Sequence, residues 1–69
     1  MSKWILIFVE NNDIGKPDVY DTYDEAYEVM YRRFNRLKDT DDYANIHPDY
    51  ASIQSDYDNF DWRIFEVKF

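Results

Sequence analysis

Residues 22–38, TYDEAYEVMYRRFNRLK, decide the architecture of this chain. Thr22-Tyr23-Asp24-Glu25 is a capping box: the Thr22 hydroxyl can accept from the Glu25 amide while the Glu25 carboxylate reaches back to the Thr22 amide, which predicts a helix starting at Tyr23. From there Ala26, Val29, Met30, Phe34 and Leu37 recur at spacings of three and four, with Arg33 flanking, and form one apolar stripe along a helix ending near Lys38. Asp24, Glu25 and Glu28 fall in the first turns and Arg32, Arg33, Arg36 and Lys38 in the last, the distribution a helix dipole favours. A lone helix with one apolar stripe must be covered, so the flanking segments are expected to supply a sheet.

On the N-terminal side, Lys3 to Glu10 is rich in β-branched and aromatic residues and apolar on both alternating faces, the pattern of a central strand. Asn11 to Lys16 contains the single glycine and reads as a longer hairpin turn, and Pro17-Asp18-Val19-Tyr20 resumes an extended pattern suited to an edge. Beyond the helix, Asp39 to Asp49 carries turn formers with little periodicity and reads as a loop. Tyr50 to Gln54 then reads as a strand, Ser55 to Phe60 as a connection, and Asp61 to Phe69 as a final strand. That last strand places Arg63, Phe65, Val67 and Phe69 on one face and Trp62, Ile64, Glu66 and Lys68 on the other. The expected fold is a single small α+β domain over residues 1–69, ββαββ, one helix packed on a mainly antiparallel sheet.

A chain of 69 residues buries only about 60% of its unfolded surface, so its core must be dense. It has no cysteine, which removes disulfides and thiolate metal sites and fits an intracellular, cytoplasmic setting. Two Trp, seven Tyr and five Phe supply the density instead, and folding without metal or cofactor is expected. The apolar run Trp4 to Val9 is too short for a signal sequence or a membrane span, so no export or membrane segment is expected. Fifteen Asp and Glu against eight Lys and Arg give a formal charge of −7, a potential that repels nucleic acid and anionic lipid and attracts basic proteins.

Catalytic templates fail on composition. There is one histidine, His47, before Pro48 in a polar stretch, and one glycine, too few for a phosphate-cradling loop. Asp39-Thr40-Asp41-Asp42 begins like a calcium loop, but Ala44 stands where the turn glycine is required and Tyr50 where the bidentate glutamate is required. Asp56, Asp58 and Asp61 are no closer to a metal set than any acidic loop. The chain is expected to be non-enzymatic.

The most distinctive stretch runs from Asp39 to Asp61: seven aspartates (Asp39, Asp41, Asp42, Asp49, Asp56, Asp58 and Asp61), no Lys or Arg, and three interleaved tyrosines (Tyr43, Tyr50 and Tyr57). Two accounts compete. Acidic runs are usually solvated surface, and the tyrosines could close a small core. Alternatively, carboxylates can stand in for phosphates opposite the arginines of a nucleic-acid-binding protein, with tyrosines supplying rigid contact area. A second candidate surface is the sheet face opposite the helix, where Trp4 or Ile5 with Trp62 and Ile64 would leave apolar groups exposed and favour self-association.

The segments Asp21-Thr22-Tyr23-Asp24-Glu25-Ala26 and Trp62-Arg63-Ile64-Phe65-Glu66-Val67 resemble small orphan proteins encoded by phages and mobile elements of Gram-positive bacteria. Small acidic anti-CRISPR and anti-restriction proteins are similar in size, charge and layout. The resemblance implies an inhibitor whose acidic, tyrosine-bearing surface occupies the basic nucleic-acid groove of a CRISPR or restriction nuclease. It transfers no individual residue, and the basic helix end at Arg32, Arg33, Arg36 and Lys38 departs from a uniformly acidic mimic. The alternative expectation is a structural or regulatory module acting through its apolar sheet face, as a homodimer or docked on a larger protein. Neither reading involves a cofactor, direct nucleic-acid binding or a membrane.

Overall fold

The computed structural model describes residues 1–38 and 43–68. Its strands are β1 (Ser2–Glu10), β2 (Asp13–Ile14), β3 (Asp18–Tyr20), β4 (Tyr43–Ile46), β5 (Tyr50–Gln54) and β6 (Asn59–Lys68), with one helix, α1 (Tyr23–Leu37), between β3 and β4. All strands form one antiparallel sheet in the order β2-β1-β6-β5-β4, and β3 pairs with the same edge of β1 as β2 does. The class is α+β as expected, but the strand order is fuller than ββαββ.

The helix begins where the capping box places it. Thr22 sits in extended backbone and its Oγ1 accepts from the Glu25 amide at 3.2 Å. The helix stops at Leu37, and the Lys38 amide donates to the Phe34 carbonyl at 2.9 Å. Ala26, Met30 and Phe34 of the stripe are buried, whereas Leu37, at the last position of the same stripe, stays 40% exposed.

Three details of the sheet correct the reading from sequence. The first turn is not a long loop around Gly15. Glu10 pairs with Asp13, so the connection is the two residues Asn11 and Asn12, at φ 51° and 73°. A two-residue hairpin turn of type I′ needs both central residues in the left-handed region, and asparagine is the non-glycine residue that tolerates it best. Gly15 instead lies in a bulge: four steps from Ile14 to Asp18 face three steps from Val9 to Leu6, which leaves one residue over. The Gly15 amide donates to the Phe8 carbonyl at 2.7 Å, and a Cβ there would stand 3.1 Å from that same oxygen. Pro17, which has no amide to donate, occupies the same interruption at the sheet edge.

The stretch read as a loop from Asp39 to Asp49 contains strand β4, paired with β5 from Tyr43↔Gln54 to Ile46↔Ala51. Its alternation is only four residues long and is set among polar neighbours, so local pattern alone does not reveal it. Residues 39–42 of that stretch lie outside the described residues. The final strand begins at Asn59 rather than Asp61, because Phe60 extends the ladder against both Glu10 and Ile53. Phe69, expected at its end, also lies outside the described residues.

β1 and β6 share nine consecutive pairs at the centre of the sheet, from Ser2↔Lys68 to Glu10↔Phe60. Paired residues in an antiparallel ladder point to the same face. Leu6 therefore faces the same way as Ile64, and Phe8 as Trp62, toward the helix. Leu6, Ala51, Ile53, Trp62 and Ile64 from the sheet meet Ala26, Met30 and Phe34 from the helix, and these form the buried core. Rings seal its margins: Trp4 meets Tyr23 edge-on at 5.3 Å, and Phe8 lies 5.0 Å from Trp62. Every buried hydrophobic side chain is thus on the helix side of the sheet.

Candidate functional site: the uncovered sheet face

The same alternation defines the other side of the sheet. Ile5, Ile7 and Val9 of β1 share that face with Asp61, Arg63, Phe65 and Val67 of β6, Tyr50 of β5 and Val19 of β3. Ile14 joins them through its pairing with Val9. Among the described residues no element packs over this side: α1 lies across the opposite face, and Val19, Ile14 and Phe65 are 61%, 74% and 44% exposed. The expected apolar sheet face exists and Ile5 lies on it, but the other expected occupants do not. Trp62 and Ile64, and with them Trp4, point to the helix, because Trp62 pairs with Phe8 and Ala51 and Ile64 with Leu6. The residues at the centre of the open face are Ile5, Ile7, Val9, Phe65 and Val67.

Between Ile7, Val9, Tyr50, Asp61 and Phe65 the open face carries a shallow hollow of about 360 Å³. Tyr50 borders it, with its ring stacked on His47 at 4.3 Å. The His47 amide donates to the Tyr50 carbonyl at 2.8 Å, so the only histidine serves the β4–β5 turn. A second hollow, about 320 Å³, lies between the helix end and the sheet, lined by Phe8, Arg33, Arg36, Leu37 and Trp62. The Trp62 Nε1 is buried without an acceptor among the described residues.

The described aspartates of the acidic stretch do not share one surface. Asp56 and Asp58 lie in the β5–β6 turn, Asp49 lies in the turn at the other end of β5, and Asp61 stands on the open face. Asp58 holds its turn together. The Ser55 hydroxyl accepts from the Asp58 amide at 2.9 Å and donates to its carbonyl, and the Asp58 carboxylate accepts from Asn11 Nδ2 at 3.0 Å. The Asn59 amide donates to Asn11 Oδ1 at 2.8 Å, which clamps the β1–β2 and β5–β6 turns side by side. These two turns gather Glu10, Asp13, Asp56 and Asp58 at one end of the sheet, with Tyr57 92% exposed beside them. Asp39, Asp41 and Asp42 lie outside the described residues.

The three tyrosines of the acidic stretch do not close the core. Tyr43 is 80% exposed on the outermost strand, Tyr57 projects from its turn, and Tyr50 lies on the open face. The tyrosines that do pack against the core are Tyr20, Tyr23 and Tyr27. Burial raises the Tyr20 phenol above its ordinary value, reinforced by the Asp18 carboxylate. Burial likewise raises the Tyr23 phenol, whose hydroxyl donates to the Pro48 carbonyl and ties the helix start to the β4–β5 turn.

Among the described residues no group of three or more His, Asp or Glu side chains is placed to hold a metal ion, and no helix is long and apolar enough to cross a membrane. No protein-family model, curated protein or solved structure matches the chain.

Proposed function

We propose that this chain is a small, non-enzymatic protein-binding module that engages a protein partner through the open face of its sheet. The single observation that carries the reading is the uncovered row of Ile5, Ile7, Val9, Phe65 and Val67 at the centre of an otherwise strongly acidic molecule. Of the acidic residues on described strands, only Asp61 has the open-face register. Glu10, Asp13, Asp18 and Glu66 all alternate to the helix side. A contiguous apolar row with few charges, here Asp61 and Arg63 beside it, is the composition of a protein interface. The matching partner presents apolar groups with charges of both signs among them.

A tagged chain, expressed with an untagged copy and mixed with host lysate, tests the reading when wild type, Ile7→Lys and Asp56→Lys are compared. Bound protein lost with Ile7→Lys and kept with Asp56→Lys supports it, provided circular dichroism shows both variants folded. Capture unchanged by Ile7→Lys overturns it.

Nucleic-acid mimicry, the activity of an anti-CRISPR or anti-restriction inhibitor, is a second reading. It is favoured by one observation: Glu10, Asp13, Asp56 and Asp58 converge on adjoining turns that contain no Lys or Arg. Because charge attraction is screened over roughly 8 to 10 Å at physiological salt, such binding must weaken steeply as salt is raised. A captured nuclease retained equally at low and moderate salt, or retained by Asp13→Lys/Asp56→Lys, sinks this second reading.

A further inference from the structure

We infer that the occupant of the open face is a second copy of this chain, stacked sheet against sheet about a two-fold axis. The inference rests on the reading of that face as a docking surface and names what fills it.

A two-fold interface must be complementary to itself, and the charges on this face are. Asp61 and Arg63 point to the same side of β6, two residues apart, a separation of about 6.6 to 6.8 Å along a strand. An axis lying between the two sheets and crossing β6 at the level of Trp62 reverses the strand direction. It sets Asp61 of each copy over Arg63 of the other and, on β1, Val9 over Ile7. The rest of a chain with formal charge −7 repels its own copies. On the open face Arg63 balances Asp61, and Lys3 is ion-paired to Asp21, so two copies meet with least repulsion there.

The same axis sets Phe65, 44% exposed, over the other copy's β6 at the level of Asn59, so its ring is covered in the assembly. The assembly is a four-layer sandwich, helix, sheet, sheet, helix, with the sheets about 10 Å apart.

Sedimentation equilibrium on the full chain tests this. Wild type is expected at about twice the 8.5 kDa chain mass at tens of micromolar, and to remain so at raised salt because the contact is mainly apolar. Phe65→Lys is expected to return the mass to that of one chain. Asp61→Arg and Arg63→Asp each set like charges opposite one another and should shift the equilibrium to monomer, whereas the double exchange Asp61→Arg/Arg63→Asp restores the dimer. Both positions are exposed, so circular dichroism should be unchanged in all three. A strict monomer at high micromolar concentration overturns the inference, and so does a dimer indifferent to the single exchanges. If that monomer still captures another protein in an Ile7-dependent way, the docking face stands with a different occupant. If Ile7→Lys alters neither mass nor capture, both readings fall.

Discussion

Truncating two adjacent side chains, Ile64→Ala and Phe65→Ala, should have sharply unequal costs. Ile64 is 6% exposed beneath the helix, and Phe65, the next residue, is 44% exposed on the open face. Ile64→Ala removes three buried carbons at about 0.8 kcal/mol each in transfer free energy. With the cavity left among Leu6, Met30 and Trp62, the total falls in the range of about 2 to 5 kcal/mol. A 69-residue chain has roughly 3 to 10 kcal/mol to lose, so this one change removes a large part of its stability. With a urea slope of about 1 kcal/mol/M, the midpoint falls by about 2 M or more, and the Tm by about 8 °C or more. Phe65→Ala takes away a ring that keeps 44% of its surface in water and leaves no enclosed cavity, so it should cost less, about 1 kcal/mol in the monomer. The assay is urea unfolding followed by Trp fluorescence, at concentrations where sedimentation shows one chain. Equal costs, or a larger cost at Phe65, would mean that β6 sits one residue out of register, since a slip of one exchanges its two faces.

Three further outcomes follow from the same geometry. Asn11→Ala loses its side-chain bonds to Asp58 and Asn59 and leaves alanine at φ 51°, so chemical denaturation should show a loss of about 1 to 3 kcal/mol, while Asn12→Gly at φ 73° is neutral or better. Thr22→Ala removes the acceptor for the Glu25 amide and should lower stability by about 1 kcal/mol, read as a fall in Tm with unchanged native circular dichroism. The raised phenols of Tyr20 and Tyr23 hold their protons more tightly folded than unfolded. Their contribution is therefore full below the ordinary tyrosine value of about 10 and is lost as pH rises through their folded values; Tyr20→Phe should reduce the alkaline fall in stability.

The helix was legible because its signals are local: Thr22 and Glu25 cap it, and Ala26, Met30 and Phe34 repeat within it. The sheet was legible as strands but not as faces. β1 is apolar at Trp4, Leu6 and Phe8 and again at Ile5, Ile7 and Val9, and β6 carries Trp62 and Ile64 on one side and Phe65 and Val67 on the other. Such strands do not announce which side the helix covers; the long-range pairings of Leu6 with Ile64 and Phe8 with Trp62 decide it. One cue was available, since burying the larger rings under the helix satisfies a core this small, and it favoured Trp62 over Phe65. Strand β4 escaped notice because Tyr43 to Ile46 becomes a strand only when β5 lies beside it. The aspartates formed a run in sequence, yet hairpin geometry sends Asp49 and Asp56 to opposite ends of β5.

The pairing of β1 with β6 also sets when this molecule can come into being. The first strand of the chain lies between β2 and β6, and its nine-residue ladder with β6 can close only after the last ten strand residues exist. During synthesis at ~5 to 20 residues per second, the nascent chain can offer its capped helix and first hairpin but no centre for its sheet. Folding must wait for Trp62 and Ile64 to emerge, and it then proceeds through contacts between strands far apart in the sequence, the slowest kind to form. A ribosome that stalls before Asn59 leaves Leu6, Met30 and Phe34 without their cover, a species for chaperones and proteases to find.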